Sequence, residues 1–271
     1  MKIITFSKAV AAGNDFVIIE NRRNSTAILK QLASKLCLRK YGIGADGLLV
    51  SEKSSKADIK MRIFNPDGTE AEMCGNGVRC FILWAYRNKL IKSASSVETL
   101  AGVIKGKVKR DGMIRVQLNA SFEYRPGIKI ALENRVFKGD YIDSGVPHFV
   151  VETDKIEDVD VRLYGRFLRF HKIFNSRGTN VDFIQFKNNK LYVRTYERGV
   201  EDETLACGTG CAASALVFGR RKGYLTKEFT AIPKSKEKLK INYLLKNNKF
   251  QNVYLEGRAD ILFTAKFRFN K

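Results

Sequence analysis

The sequence predicts an α+β protein of two pseudo-symmetric domains, each a curved, mostly antiparallel β-sheet wrapped around a central helix, with the active site between them. Three observations carry this expectation. The stretch AEMCGNGVRC at 71–80 returns as LACGTGCAAS at 205–214, so Cys74 and Cys207 stand 133 residues apart in a chain of 271. The same shift carries Phe16 and Val17 onto Phe149 and Val150, Glu70 onto Glu203, and Gly75 and Gly77 onto Gly208 and Gly210. Most of the remaining chain consists of short β-branched and aromatic runs between turn residues, whereas the segments after the two cysteines are small or apolar at helical spacing.

Taken in order, KIITF (2–6) and DFVIIE (15–20) read as paired strands around the Gly13-Asn14 turn signal. TAILKQLASKLC (26–37) puts Ile28, Leu29, Leu32, Ala33 and Leu36 on one stripe, with Ser25 or Thr26 as cap, and so reads as an amphipathic helix. GADGLLV (44–50) is a glycine-rich turn into a strand, and DIKMRIF (58–64) alternates Ile59, Met61 and Ile63 inward. Asn65-Pro66-Asp67-Gly68 is a turn just ahead of Cys74. NGVRCFILWAYRNKL is apolar on almost every face, the mark of a helix surrounded by protein. Residues 97–118 read as two strands about Arg110-Asp111-Gly112.

The second copy offers strands HFVVE (148–152), NVDFIQF (180–186) and LYVRTYE (191–197), then a helix whose Ala212, Ala213, Ala215 and Leu216 suit close packing against a sheet. The domains are expected at 1–118 and 119–259, with a final strand at 260–271 packing back onto the first.

Composition narrows the function. No stretch approaches the length of a membrane span and the first residues lack a sustained apolar core, so a cytoplasmic protein without a membrane partner is expected. Five cysteines without a secretory signal read as reduced thiols, and two histidines with no C-x-x-C argue against a metal site. The formal charge of +21 raises nucleic-acid binding. The basic residues are spread along the chain, however, and no aromatic-plus-basic recognition element stands out, so a solvated Lys-rich surface is the better reading.

Each of Cys74 and Cys207 is followed at once by Gly-x-Gly and a helix, placing both sulfurs at helix starts. The unpaired amides there favour a thiolate and can seat a carboxylate. An amino-acid α-carbon between two such thiols would lose a proton from one face and gain one on the other, which is racemisation or epimerisation without a pyridoxal cofactor or metal. The amides of Gly75, Asn76, Gly208 and Thr209 would stabilise charge spreading into the carboxylate. Cys37, Cys80 and Cys211 read as packed, inert thiols.

The stretches GNDFVII, MRIFNPDGTEAEMCGNGVRC, ETLAG, RGTNVDF and YERGVEDETLACGTG resemble the diaminopimelate epimerase family along nearly the whole chain. The resemblance implies a cofactor-independent enzyme interconverting LL- and meso-2,6-diaminopimelate for lysine and peptidoglycan-precursor synthesis, with diaminopimelate as its small-molecule partner and a homodimer as its assembly. It implies Cys74 and Cys207 as the acid/base pair and Gly75, Asn76, Gly208 and Thr209 as holders of the reacting carboxylate. Asn14, Asn65, Asn180, Glu197 and Arg198 match positions that bind the ends of the substrate, and His148 with Glu197 matches groups that tune the thiols. Two departures stand out: Gly47 where several relatives have Gln, and Val146 where they have Asn. The rivals are a two-cysteine proline or hydroxyproline racemase, a related isomerase lacking the thiol pair, and, from another class, a basic nucleic-acid-binding protein. Retention of both cysteines argues against the second, and Asn65, Asn180 and Arg198 argue against the first.

Overall fold

A computed structural model describes residues 2–21, 24–119, 122–133, 135–174 and 176–269. The chain divides into two compact units, Met1–Val116 with Gly257–Lys271, and Gln117–Glu256. The last two residues of the strand expected at 260–271 lie outside the described residues.

The first unit begins with β1 (Lys2–Ala11), β2 (Asn14–Glu20), α1 (Thr26–Leu36), β3 (Gly47–Glu52), β4 (Ile59–Phe64), the two-residue β5 (Glu70–Ala71), α2 (Gly75–Arg87), β6 (Ala94–Thr99), β7 (Gly102–Val108) and β8 (Ile114–Gln117). The second holds β9 (Tyr124–Leu132), β10 (Arg135–Asp143), β11 (Pro147–Glu152), α3 (Val161–Arg169), β12 (Asn180–Lys187), β13 (Lys190–Glu197), β14 (Asp202–Glu203), α4 (Gly208–Arg221), β15 (Thr226–Ile232), β16 (Leu239–Lys246) and β17 (Lys249–Gly257). The last strand, β18 (Asp260–Phe269), pairs with β1.

The two units repeat one pairing scheme. In the first, the sheet runs β18, β1, β2, β3, β4, β6, β7, β8; only β2–β3 and β4–β6 are parallel, and β5 shares the far edge of β4 with β6. In the second it runs β9, β10, β11, β12, β13, β15, β16, β17; only β11–β12 and β13–β15 are parallel, and β14 shares the edge of β13 with β15. In both, the two-residue strand leaves the sheet and leads directly to the cysteine that opens the buried helix.

That helix is buried on every side: α2 from Gly75 to Ala85 against β1, β2, β4, β7 and β18, and α4 from Gly208 to Gly219 against β10, β11, β12, β13, β15 and β16. Apolar or small residues around the full circumference are therefore a packing requirement, as the sequence pattern implied. A second layer covers the other face of the sheet. Leu29, Leu32, Ala33 and Leu36 of α1 pack with Val17, Ile19, Leu48, Val50 and Phe64, and Val161 and Leu168 of α3 pack with Phe149, Val151, Val181, Phe183 and Tyr196. Strands covered on both faces have no water side, which is why DFVIIE and HFVVE are apolar without alternation.

These layers correct the repeat read from the sequence. Val17 and Ile19 occupy the outer core of the first unit where Phe149 and Val151 occupy that of the second, while Leu48 and Val50 match Val181 and Phe183. The spacing between β2 and β11 is thus one residue shorter than that between the cysteines, and Phe16 corresponds to His148 rather than to Phe149. A one-residue slip reverses the faces of a strand, so the difference decides which side chains look at the central helix.

The sequence reading also left out several elements and joined two others. β5, β9, β10, α3, β14 and β15 were not expected, and residues 94–117 form three strands where two were expected across 97–118. α3 is hard to see because VRLYGRFLR is dominated by arginines and has Gly165 at its centre. Gly165 packs directly on Tyr196, where an added Cβ would collide with the tyrosine Cβ and ring. Gly165→Ala is expected to destabilise the protein by about 1–3 kcal/mol through overpacking, despite the gain in helix propensity. A lowered denaturant midpoint would confirm this; an unchanged or raised one would show that α3 can shift away from β13.

Candidate active site

Both cysteines sit at helix N-caps with extended backbone, Cys74 at φ −141°, ψ 116° before α2 and Cys207 at φ −109°, ψ 111° before α4. Gly77 and Gly210, three residues on, have no side chain because the first helical turn lies against the sheet. A Cβ at Gly77 would press on Leu49, Phe16 and the Cys74 Cβ, and one at Gly210 would collide with Asp182 and crowd Thr195 and the Cys207 Cβ.

Around Cys74, which is half-buried, the sulfur accepts from the Gly77 amide at 3.4 Å. The buried Asn76 donates to Asn14 Oδ1 and accepts from Arg79 Nη2 at 2.7 Å, while Asn14 donates to Asp46 at 3.1 Å. Behind it, Asp15 pairs with Lys8 at 2.6 Å and Arg39 at 2.8 Å. Burial raises the Asp15 carboxyl, but these two cations outweigh it and hold the pKa down at about 2. Asn65 stays within its own turn, bonding the Thr69 hydroxyl at 2.9 Å through its side chain and the Thr69 carbonyl at 2.8 Å through its amide. At Gly47 a Cβ would lie 3.2 Å from the Phe64 carbonyl, a tight fit for any larger residue.

Around Cys207 the surroundings differ. The thiol is buried, and its Sγ lies 3.3 Å from Thr209 Oγ1. Thr209 Oγ1 lies 3.1 Å from His148 Nε2, and His148 Nδ1 lies 2.7 Å from Asp182 Oδ2. Thr195 donates to the other Asp182 oxygen at 2.6 Å. His148 and Asp182 are fully buried. Contrary to the expectation that a helix start favours thiolate, burial pushes the Cys207 thiol well above its ordinary range, and the charges of Glu197 and Asp182 push it further. The Thr209 hydroxyl and the Gly210 amide pull it back only in part. Burial likewise raises the Glu197 carboxyl, with Asp182 adding to the shift.

The remaining expected residues cluster at the end of β13. Asn180 bridges the Pro147 carbonyl, to which it donates at 2.9 Å, and the Arg198 amide, from which it accepts at 2.8 Å. It thereby ties the loop before His148 to the residue after Glu197. Among the described residues the Arg198 guanidinium makes no ion pair. Val146 accepts through its carbonyl from the Ser144 amide at 3.1 Å, while the Ser144 hydroxyl reaches the Thr209 carbonyl at 3.4 Å. The sequence reading missed Asp182. The available signal was a carboxylate inside the otherwise apolar run NVDFIQF.

The three thiols expected to be inert are buried in packing positions. Cys37 lies in the core beside α1, with its pKa pushed up by burial to about 12, and Cys80 and Cys211 lie within the buried helices. Among the described residues no group of three or more His, Cys, Asp or Glu side chains is placed to hold a metal, and no helix is long and apolar enough to cross a membrane.

The sequence profile of the diaminopimelate epimerase family matches residues 6–121 and 141–262. Diaminopimelate epimerases of Hydrogenobaculum sp. and Aquifex aeolicus are each 38% identical to the chain, over 95% and 96% of its length respectively and 96% of theirs. That of Methanocella arvoryzae is 37% identical over 98% of the chain and 97% of its own length. Among solved structures, a PhzF-family protein of Bacillus anthracis superposes with a TM-score of 0.79 at 16% identity, covering 99% of this chain and all of its own. A hydroxyproline epimerase of Agrobacterium vitis, with bound trans-4-hydroxy-L-proline, superposes at 0.76 and 15% identity, covering 97% of this chain and 92% of its own. The solved structures share the fold, and the profile match and the relatives of 37–38% identity over nearly the full length show that the chain is an isomerase that belongs to the diaminopimelate epimerase family.

Proposed function

We propose that this isomerase interconverts LL- and meso-2,6-diaminopimelate without an added cofactor, with Cys74 and Cys207 as the two acid/base groups. The observation that supports this most is the duplication: in two units of one topology, a two-residue strand is followed within four residues by a cysteine that caps a helix buried over most of its length. Stereochemical inversion needs two proton-transfer groups acting on opposite faces of one carbon, and a duplicated thiol cap supplies two of the same kind.

In this reading one thiolate removes the α-proton while the other thiol delivers a proton from the opposite side. The first-turn amides of α2 and α4, at Gly75, Asn76, Gly208 and Thr209, hold the α-carboxylate, so that charge leaving the C–H bond spreads toward hydrogen-bond donors. Asn14, Asn65, Asn180, Glu197 and Arg198 grip the distal end, itself a zwitterion that needs a cation for its carboxylate and an acceptor for its ammonium. Production of meso-diaminopimelate places the enzyme in lysine and peptidoglycan-precursor synthesis, and we assign it to the cytoplasm as a homodimer.

The direct test is to incubate the purified protein with LL-diaminopimelate in heavy water and no added cofactor. Equilibration with the meso isomer, carrying one deuterium at the inverted centre by mass spectrometry, is the expected result. Failure to equilibrate, or product free of solvent deuterium, would overturn the proposal; turnover of proline in its place would favour the racemase reading.

A further inference from the structure

The two thiols have unlike surroundings in otherwise matching positions. Beneath Gly77 the first unit places Leu49 and Phe16, and the strand position that corresponds to Thr195 is Ile63. Beneath Gly210 the second unit places Asp182 and Thr195, and the position that corresponds to Phe16 is His148. Three apolar residues in one unit are thus replaced by a histidine, a carboxylate and a hydroxyl in the other, and all three polar groups are buried. Sequestering such a set is costly unless every member is paired, and here it is.

The pairing has a direction. An ionised Asp182 can only accept, so His148 Nδ1 donates to it, and a neutral His148 then presents an unprotonated Nε2. The donor that faces this nitrogen is the Thr209 hydroxyl, whose oxygen in turn lies within reach of the Cys207 S–H. The second carboxylate oxygen of Asp182 is taken by Thr195, which keeps the aspartate aimed at the imidazole. Glu197 faces the same cluster but forms no hydrogen bond with His148 among those between described residues.

We propose that Thr209, His148 and Asp182 form a proton relay serving Cys207. The proton leaves Cys207 Sγ for Thr209 Oγ1 as the Thr209 proton passes to His148 Nε2, leaving a thiolate and an imidazolium held by Asp182; the reverse shift restores the thiol. One proton and no electrons change place. The relay deepens the two-thiol reading and rests on it. After each inversion the two thiols have exchanged protonation states, and the enzyme must redistribute a proton before it can act in the same direction again. A buried thiol with two carboxylates nearby sheds its proton reluctantly, so Cys207, which lies 3.3 Å from Thr209 Oγ1, needs an internal acceptor. Asp182 is a positioning residue that fixes the imidazole tautomer, and Gly210 is the gap that lets it approach.

The test uses Thr209→Val, which removes the hydroxyl at constant shape, Thr209→Ser, which restores it, and Asp182→Asn, with diaminopimelate as substrate. At saturating substrate, kcat is expected to fall about a hundredfold in Thr209→Val and Asp182→Asn and to return close to the parent value in Thr209→Ser. When α-deuterated and unlabelled diaminopimelate are mixed in ordinary water, Thr209→Val should pass deuterium from one molecule to another, because the label stays on Cys207 into the next turnover. The parent should lose the label to water. Parent-like kcat in Thr209→Val overturns the relay. So does a slow Thr209→Val that washes out label as completely as the parent, since that assigns Thr209 to substrate contact or packing. If Asp182→Asn does not fold, the threonine pair decides the matter. Should Cys207→Ser epimerise at the parent rate, the two-thiol reading itself fails, a result separable from either relay outcome.

Discussion

Replacing either Cys74 or Cys207 by serine should lower the epimerisation rate by about 10²- to 10⁴-fold while leaving the protein folded. The size of the effect follows from acidity: a hydroxyl holds its proton far more tightly than a thiol at neutral pH, so serine can neither take the α-proton nor stand ready with a labile one. Folding should survive because the exchange is nearly isosteric. At Cys74 the helix cap improves, since serine is a preferred N-cap and can accept from the Gly77 amide that now reaches the sulfur. At Cys207 the hydroxyl still faces Thr209. Circular dichroism and thermal melts matching the parent would establish the fold, and stereochemical assay of the product would give the rate. Cys37→Ser, Cys80→Ser and Cys211→Ser are the controls; these thiols are buried in cores, and their variants should keep substantial turnover apart from modest packing losses. A folded Cys74→Ser or Cys207→Ser enzyme working at the parent rate would falsify the paired-thiol mechanism.

Arg198→Ala should weaken diaminopimelate binding by about 2–5 kcal/mol, the cost of leaving a buried ligand carboxylate without its cation. Arg198 is suited to this role because its backbone is anchored and, among the described residues, its guanidinium has no acidic partner. The amide donates to Asn180 Oδ1 at 2.8 Å, and Asn180 also holds the Pro147 carbonyl. Truncating the side chain therefore leaves the loop in place. Titration calorimetry with the substrate, alongside the thiol alkylation rate without it, separates binding from thiol chemistry. The first should fall sharply and the second should hardly move. Unchanged affinity would remove Arg198 from the site, and an equal loss of thiol reactivity would mean that the substitution disturbs the cysteine environment instead.

The two halves, both helix-start cysteines and most strands were legible in the linear sequence because they rest on local rules. A cysteine before Gly-x-Gly marks a cap, an all-apolar run of helical length marks a buried helix, and β-branched runs between Gly, Asn and Asp mark strands. α3 escaped because its helical tendency is weak and its place is set by contact with β13, where Gly165 lies on Tyr196. The equation of Phe16 with Phe149 failed for a related reason. Strands apolar on both faces give no clue to which residues point where, and only the packed layers show that Val17 matches Phe149 and Phe16 matches His148.

Tertiary structure alone also decided how unlike the two cysteines are. From sequence each is the same Cys-Gly-x-Gly helix start, with amides that favour a thiolate. In the fold Cys74 is half-buried and bonded to an amide, while Cys207 is enclosed beside two carboxylates and linked through Thr209 to His148 and Asp182. His148 and Asp182 are 34 residues apart in the chain. They meet because β11 and β12 are parallel neighbours whose inner faces look at the same turn of α4, and the strength of a charge on a thiol depends on that distance and on the water excluded from it.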